Sequence, residues 1–303
     1  MNAFTHASPL NRVLVTGATG NTGSALLGEL RGSAIEPVAA LSCEKAKSRL
    51  PESCRYRLCN FNEASQVSDA LDGIDAVFLL LPFDEKMVGW GEQFVEQAKE
   101  QNVRFIVRLS GLAAALDCGS KMGQLHGQID EALKRSGIPY CILRCNSFMQ
   151  NFTGVYRSMI RRGTLSLPEG DARSGFIDTG DIAAVAAHII KNPGPHINRV
   201  YDLSGPELLS NTQAVEIISA VIGNPVHYRT MSEAEARRVY EKFGISSWHS
   251  EVLESLSRFI RQGNAERLTD TVERLLGRQP GTSREFAERN RQCWTDAEPS
   301  RLP

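Results

Sequence analysis

Short apolar runs alternate with longer amphipathic stretches through the first half of the chain. Val13–Thr16 predicts a first strand and Ser24–Arg31 a first helix. Pro37–Leu41 predicts a second strand, and Glu44–Leu50 opens a helix. Tyr56–Cys59 is a short third strand, followed by a helix over Ala64–Leu71. Asp75–Leu81 is a nearly unbroken apolar run, the pattern of a strand covered on both faces. A long helix is predicted over Glu85–Gln101, a fifth strand over Arg104–Ser110, a helix over Lys121–Ser136 and a sixth strand over Tyr140–Arg144. This alternation implies βαβ units and an α/β fold, a doubly wound parallel sheet of the Rossmann type. Right-handed crossovers then gather the C-terminal strand ends at the switch point where ligands bind.

The pattern changes near Phe148. Strand-like pieces recur at Gly175–Asp178 and Arg199–Leu203, with a helix over Asp181–Lys191 between them, capped by Thr179 or Asp181. After Gly205 the chain becomes mostly helical: Gln213–Ile222 is apolar on one face, Val226–Thr230 is a short strand, and Trp248–Gln262 and Thr269–Leu276 supply further helices. Ser232-x-x-Glu235 and Thr282-x-x-Glu285 read as capping boxes. The organisation expected is a nucleotide-binding domain over 1–150, its sheet completed by segments within 175–205, and a smaller, mostly helical substrate-binding cap over 151–303.

A net charge of −1 over 303 residues implies no attraction to nucleic acid or to an acidic membrane surface. No apolar run has the length of a membrane span, and Met1–Pro9 lacks the apolar core of a signal peptide, so a cytoplasmic protein is expected. The seven cysteines form no C-x-x-C pair and read as free thiols. Cys141 and Cys145 flank a strand and are expected to pack. The histidines form no H-E-x-x-H, and no metal site is inferred.

The first strand ends in Thr16-Gly17-Ala18-Thr19-Gly20-Asn21-Thr22-Gly23, with a helix starting at once. Glycines let the backbone bend and approach a pyrophosphate, and the helix N-terminus offers N–H groups and the positive end of its dipole. The spacing is G-x-x-G-x-x-G, unlike the G-x-G-x-x-G of the dehydrogenase fingerprint.

With Gly73-Ile74-Asp75-Ala76-Val77-Phe78-Leu79, Ser136-Gly137-Ile138-Pro139-Tyr140-x-Ile142-Leu143-Arg144, Asn146-x-Phe148-Met149-Gln150-Asn151-Phe152 and Phe176-Ile177-Asp178-Thr179-x-Asp181-Ile182-Ala183, this loop makes the chain resemble the extended, atypical short-chain dehydrogenase/reductases of the NmrA-like branch. Met122-Gly123-x-Leu125-His126-x-x-x-Asp130, Gly205-Pro206-Glu207-Leu208-Leu209 and Phe286-Ala287-x-x-Asn290-x-x-x-Trp294 bring it nearest to the ergot-alkaloid reductases of the festuclavine/agroclavine type. The quinone reductases are a second near neighbour. The resemblance implies an NAD(P)H-dependent oxidoreductase acting on a small molecule, with Gly17, Thr19, Gly20, Asn21, Thr22 and Gly23 holding the cofactor, Asn60 contacting its adenine, and Leu81 and Pro82 under the nicotinamide ribose.

Typical short-chain dehydrogenases move a proton with a Tyr-x-x-x-Lys pair. Here no tyrosine stands between Ser110 and Tyr140, and His126 occupies the lysine's place. That removes the acid an alcohol/ketone couple needs. It leaves hydride transfer to an iminium, imine, quinone or enone open, because such an acceptor carries the charge already or takes its proton from water. His126 is read either as a contact to cofactor or substrate or as a helix histidine tied to Asp130 one turn on. Ser110 ends the fifth strand, and its hydroxyl is expected either to face the nicotinamide or merely to cap the strand.

Neither the usual strand-end acid nor the family arginine follows the second strand, which ends Leu41-Ser42-Cys43-Glu44-Lys45. Ser42 with Lys45 or Lys47 can bond a 2′-phosphate, so NADP(H) is expected over NAD(H); alternatively the lysines only solvate a helix face. Phe148, Met149, Asn151 and Phe152 follow the sixth strand at the edge expected for a substrate pocket, with Phe83 and Trp248 to close it. As a group they suit a flat, bulky acceptor; each alone reads first as a core residue. The helices at 85–101 and 121–136 offer a face for a homodimer. A nucleotide-binding regulator that does not turn its ligand over, as in NmrA itself, is the rival reading. A non-redox cyclase or isomerase is a third.

Overall fold

The computed structural model describes residues 9–296; Met1–Ser8, most of the N-terminal stretch read for a signal peptide, lie outside them. The alternation resolves into β1 (Arg12–Val15), α1 (Asn21–Leu30), β2 (Glu36–Leu41), β3 (Arg55–Leu58), α2 (Ala64–Leu71), β4 (Ala76–Leu79), α3 (Met87–Glu100), β5 (Phe105–Gly111), α4 (Lys121–Ser136) and β6 (Tyr140–Cys145). Next come α5 (Arg157–Arg161), β7 (Thr164–Leu167), β8 (Arg173–Ser174), α6 (Thr179–Lys191) and β9 (Arg199–Leu203). The chain ends with β10 (Leu209–Ser210), α7 (Asn211–Ile222), β11 (His227–Thr230), α8 (Glu233–Lys242), α9 (Ser247–Arg261), α10 (Thr271–Leu276), α11 (Ser283–Arg289) and α12 (Gln292–Thr295).

Seven strands form one sheet in the order β3-β2-β1-β4-β5-β6-β9, and every neighbouring pair is parallel. The order reverses between β1 and β4, so the loops after these strands diverge and leave a crevice at their C-terminal ends. Alternate residues of the strands feed opposite faces. Leu14, Val38, Val77, Leu79, Ile106 and Ile142 pack against Val67 and Leu71 of α2, Phe94 and Val95 of α3 and Leu133 of α4. On the other face Val13, Val15 and Phe78 are fully buried, and α1 packs against α6.

The chain divides into two compact units. The first runs to Cys145 and adds Thr179–Leu203 and Arg274–Gly277; the second comprises Asn146–Asp178, Ser204–Glu273 and the residues from Arg278. Within the second, Met149, Phe152, Ile160, Leu165, Val215, Ile218, Phe286 and Trp294 form a separate core, and the Trp294 indole donates to Phe152 O at 2.9 Å.

Three sequence expectations need correction. Gly175–Asp178 is no strand of the main sheet: Ile177 makes a single parallel bridge to Phe148, while Arg199–Leu203 alone adds the seventh strand. Thr164–Leu167, unmarked in the sequence, pairs in parallel with His227–Thr230, a partnership that no local pattern encodes. The helix expected from Asp181 starts at Thr179. The capping boxes at Ser232 and Thr282 are present, and a third sits at Ser210 with Gln213.

All seven cysteines are free thiols. Burial pushes the Cys59 and Cys141 thiols up to about 12, which suits packing over nucleophilic chemistry. Among the described residues no helix is long and apolar enough to cross a membrane.

Candidate functional site

The loop between β1 and α1 is shaped by sterics. Thr16 clips the two central strands together: its hydroxyl donates to Leu80 O at 2.8 Å and accepts from Leu80 N–H at 2.7 Å. Gly17 has φ +62, a left-handed conformation, and a Cβ there would lie 2.8 Å from Leu80 Cδ2. Gly20 donates its N–H to Gly17 O at 2.9 Å and caps α1. A Cβ on Gly23 would stand 2.2 Å from Gly17 O, inside any tolerable contact, whereas one on Gly20 would meet only that same oxygen at 3.3 Å. Gly23 therefore belongs to the packing of helix on loop, and Gly20 to the open side. Thr19 is partly exposed and Asn21 exposed, while Thr22 is buried. The first turn of α1 carries neither a side-chain cap nor a carboxylate, so its N–H groups and dipole are unopposed toward an anion.

The segment after β2 is a 3-10 helix over Glu44–Arg49. Ser42 and Lys45 are exposed. Lys47 lies 5.1 Å over the Tyr56 ring, and the Tyr56 hydroxyl donates to Glu44 Oε1 at 2.7 Å. The residue that sequence reading missed is Arg49, whose guanidinium donates to Thr19 O at 3.1 Å. The turn of the 3-10 helix carries it back over the glycine loop, so the basic group absent at the strand end is supplied from seven positions beyond Ser42. Asn60 Oδ1 accepts from Asn62 N–H at 3.1 Å in a turn after β3. Leu81 packs against the core, Pro82 is exposed, and Phe83 is 37% exposed on the loop after β4.

At the other end of the groove a buried network joins β5, α4 and β6. Arg108, 1% exposed, lies 3.2 Å from Asp130 Oδ1 and donates to Leu109 O at 2.8 Å. Arg144 reaches Asp130 Oδ2 at 3.3 Å. The Ser110 hydroxyl, read either as facing a nicotinamide or as capping the strand, donates to Asp130 Oδ2 at 3.0 Å. Burial pushes the Asp130 carboxyl up, and Arg108, Arg144 and the Ser110 hydroxyl pull it back. His126 is not tied to Asp130 either: Arg108 Nη2 stands 3.3 Å from its Nδ1. The ring lies beside Gly111, where an added Cβ would come within 3.2 Å of Cδ2. Burial and then the Arg108 charge lower the His126 pKa to about 3, so the imidazole is neutral.

The residues marked for a substrate pocket fall in the second unit, apart from Phe83. Met149 is 1% exposed and spent on the core, so its side chain is not a contact surface. Phe148 and Asn151 are partly exposed, and Phe148 O accepts from Asn151 N–H at 3.1 Å. Trp248, on α9, meets the His249 ring edge-on at 4.9 Å between centroids. Among the described residues no group of three His, Cys, Asp or Glu is placed to hold a metal ion.

Comparison with known proteins places this architecture. The chain is 28% identical to the NAD(P)H azoreductase of Xenophilus azovorans over 278 residues, 91% of this chain and 96% of that protein. It is 28% identical to festuclavine synthase I of Penicillium roqueforti over 296 residues, 93% and 99% of the two chains. The fold is that of the NADPH-dependent quinone oxidoreductase QOR2 of Escherichia coli solved with NADPH, with a TM-score of 0.80 at 22% identity over 91% of this chain and 99% of that one. The NmrA-like family profile matches residues 9–279, and the chain belongs to that family.

Proposed function

We propose that the protein is an NAD(P)H-dependent reductase that passes hydride to a bulky acceptor needing no protein acid, an iminium or imine, or a conjugated quinone or enone. The observation that carries the reading is the pairing of a phosphate cradle with a second cluster in which Ser110 and His126 Nδ1 already have protein partners. The Ser110 hydroxyl donates its hydrogen bond to Asp130, and His126 faces a guanidinium. The cradle fits a pyrophosphate: Gly17 takes a left-handed turn, Gly20 leaves the α1 N-terminus open, and the first turn carries no acid. The dinucleotide supplies the hydride when bound. The chain's own residues bind and orient. The loop N–H groups hold phosphate, Arg49 with Ser42 and Lys45 offers charge and a hydroxyl to a 2′-phosphate and favours NADPH, Asn60 stands for the adenine, and Leu81 and Pro82 floor the ribose. Phe83, on the loop after β4, is a proposed acceptor contact, and the outer faces of α3 and α4 are the proposed homodimer surface.

A relative named as an NAD(P)H azoreductase, a name that gives a nicotinamide donor and an azo acceptor, supports the reading. The same lack of a spare acid also fits a regulator that binds NAD(P) without turnover. A panel separates the two. NADPH oxidation with a bulky cyclic iminium, a quinone or an enone, and little with simple alcohols plus NADP, supports the reductase. Tight nucleotide binding by calorimetry with no turnover across the panel supports the regulator.

A further inference from the structure

Arg108 is the largest side chain among the fully buried residues, and no proton-transfer step uses it. Its surroundings are electrostatically lopsided. Two guanidinium groups, Arg108 from β5 and Arg144 from β6, meet one carboxylate, Asp130 from α4. Its polar neighbours include the Ser110 hydroxyl, already donated to Asp130, and the His126 ring on α4; Asp202 of β9 stands opposite Arg144 in the strand register. A guanidinium has only donors and keeps its proton. The Arg108 Nη2–His126 Nδ1 contact at 3.3 Å is therefore a hydrogen bond only if Nδ1 carries a lone pair. The ring proton must then sit on Nε2. That atom has no protein partner among the described residues, and it is not among the buried polar atoms left without one, so it is open to solvent or ligand.

We infer that Arg108 is a positioning residue that fixes His126 as the neutral Nε2–H tautomer, a permanent hydrogen-bond donor at the groove rather than a proton relay. A second proton on Nδ1 would point at the guanidinium, in a cluster where the Asp130 carboxylate is already shared by two cations. Burial disfavours that charge in the same direction. The functional consequence rests on the reductase reading above: a fixed N–H can hold a ribose hydroxyl or an acceptor heteroatom, and it has no acidic proton to release at neutral pH. The tautomer itself does not depend on that reading.

The test is long-range 15N–1H NMR of the imidazole rings in the full-length protein, with His126→Gln identifying the His126 signals. The expected spectrum shows His126 with protonated Nε2 and bare Nδ1, unchanged as pH falls from about 8 to about 5, across the range where an ordinary histidine titrates. A Nδ1–H tautomer or an imidazolium signature at about pH 6 in the wild type overturns the inference. The wild-type spectrum decides this even if a variant fails to fold. Arg108→Lys, which retains a cationic donor, keeps the tautomer. Arg108→Met, if it folds, releases Nδ1 and lets the Nδ1–H tautomer appear, which loss of a merely structural arginine would not do. Failure of the reductase reading shows separately, as the expected spectrum in a protein that oxidises no NADPH.

Discussion

The two ends of the proposed groove are built on opposite principles. At the phosphate end, backbone does the work: Gly17, Gly20 and Gly23 are small because carbonyl and side-chain atoms crowd two of them and a ligand needs the space beside the third. At the far end, long side chains do the work: Arg108, Arg144 and Asp130 lock together under Ser110 and His126 and leave one imidazole edge outward. The first end recognises charge without carrying any. The second carries charge but hides it, presenting a neutral donor. On the proposed function, a groove of this kind binds an anionic dinucleotide at one end and keeps the reacting end free of mobile protons.

The largest expected effect comes from breaking the charged end. Asp130→Ala removes the one carboxylate shared by two arginines and leaves Arg108 buried and uncompensated, which costs about 3–5 kcal/mol. Chemical denaturation checks this; a loss below about 1 kcal/mol would mean the network is solvated and not buried. The backbone end is sharpened by a pair of changes. Gly23→Ala puts a methyl into Gly17 O and is expected to cost about 3 kcal/mol of stability. Gly20→Val leaves the fold in place, with a loss of about 1 kcal/mol at the helix cap, yet abolishes dinucleotide binding in calorimetry. Retained binding in folded Gly20→Val would remove the phosphate cradle from the account.

Arg49 links the glycine loop to the segment after β2, and its effect is smaller. Arg49→Ala is expected to weaken NADPH binding about tenfold, the worth of one charge-assisted contact, and to leave NADH nearly unchanged. Equal losses for both would assign Arg49 to holding Thr19 and the loop.

A further effect is a pH dependence. His126 has a folded pKa lowered from 6.5 to about 3. Between those values the unfolded chain binds a proton that the folded chain refuses, so the stability it contributes is complete above about 6.5 and is lost as pH falls toward 3. Thermal melts of His126→Gln should show a shallower acid limb than the wild type; parallel limbs would place the acid sensitivity elsewhere.

The phosphate end was legible in the sequence because its logic is local. Gly17 and Gly23 stand six residues apart and collide through one turn, and the apolar runs around them announce strand and helix. The charged end was only half legible. His126 and Asp130 are visible as one helix face, and from spacing alone they read as partners. The partner that separates them, Arg108, comes from β5, and the other cation from β6; such contacts exist only after the sheet has closed. The Ser110 hydroxyl was misdirected for the same reason. Arg49 escaped notice because the 3-10 turn over Glu44–Arg49, not the strand end, delivers it to Thr19. In the second unit, Met149 sits beside Phe148 in sequence yet points into the core, a choice that only tertiary packing makes.

The central claim is that hydride leaves a bound NADPH for an acceptor without help from a protein acid. Single-turnover oxidation of NADPH by a permanently charged N-alkyl iminium, followed across the neutral pH range, tests it most directly. The account predicts a rate that stays flat through the region where histidine ordinarily titrates and that slows when the transferred hydrogen of the cofactor is deuterium. A rate that falls with a protein pKa near neutrality, or efficient oxidation of simple alcohols with NADP where the iminium is inert, would contradict it.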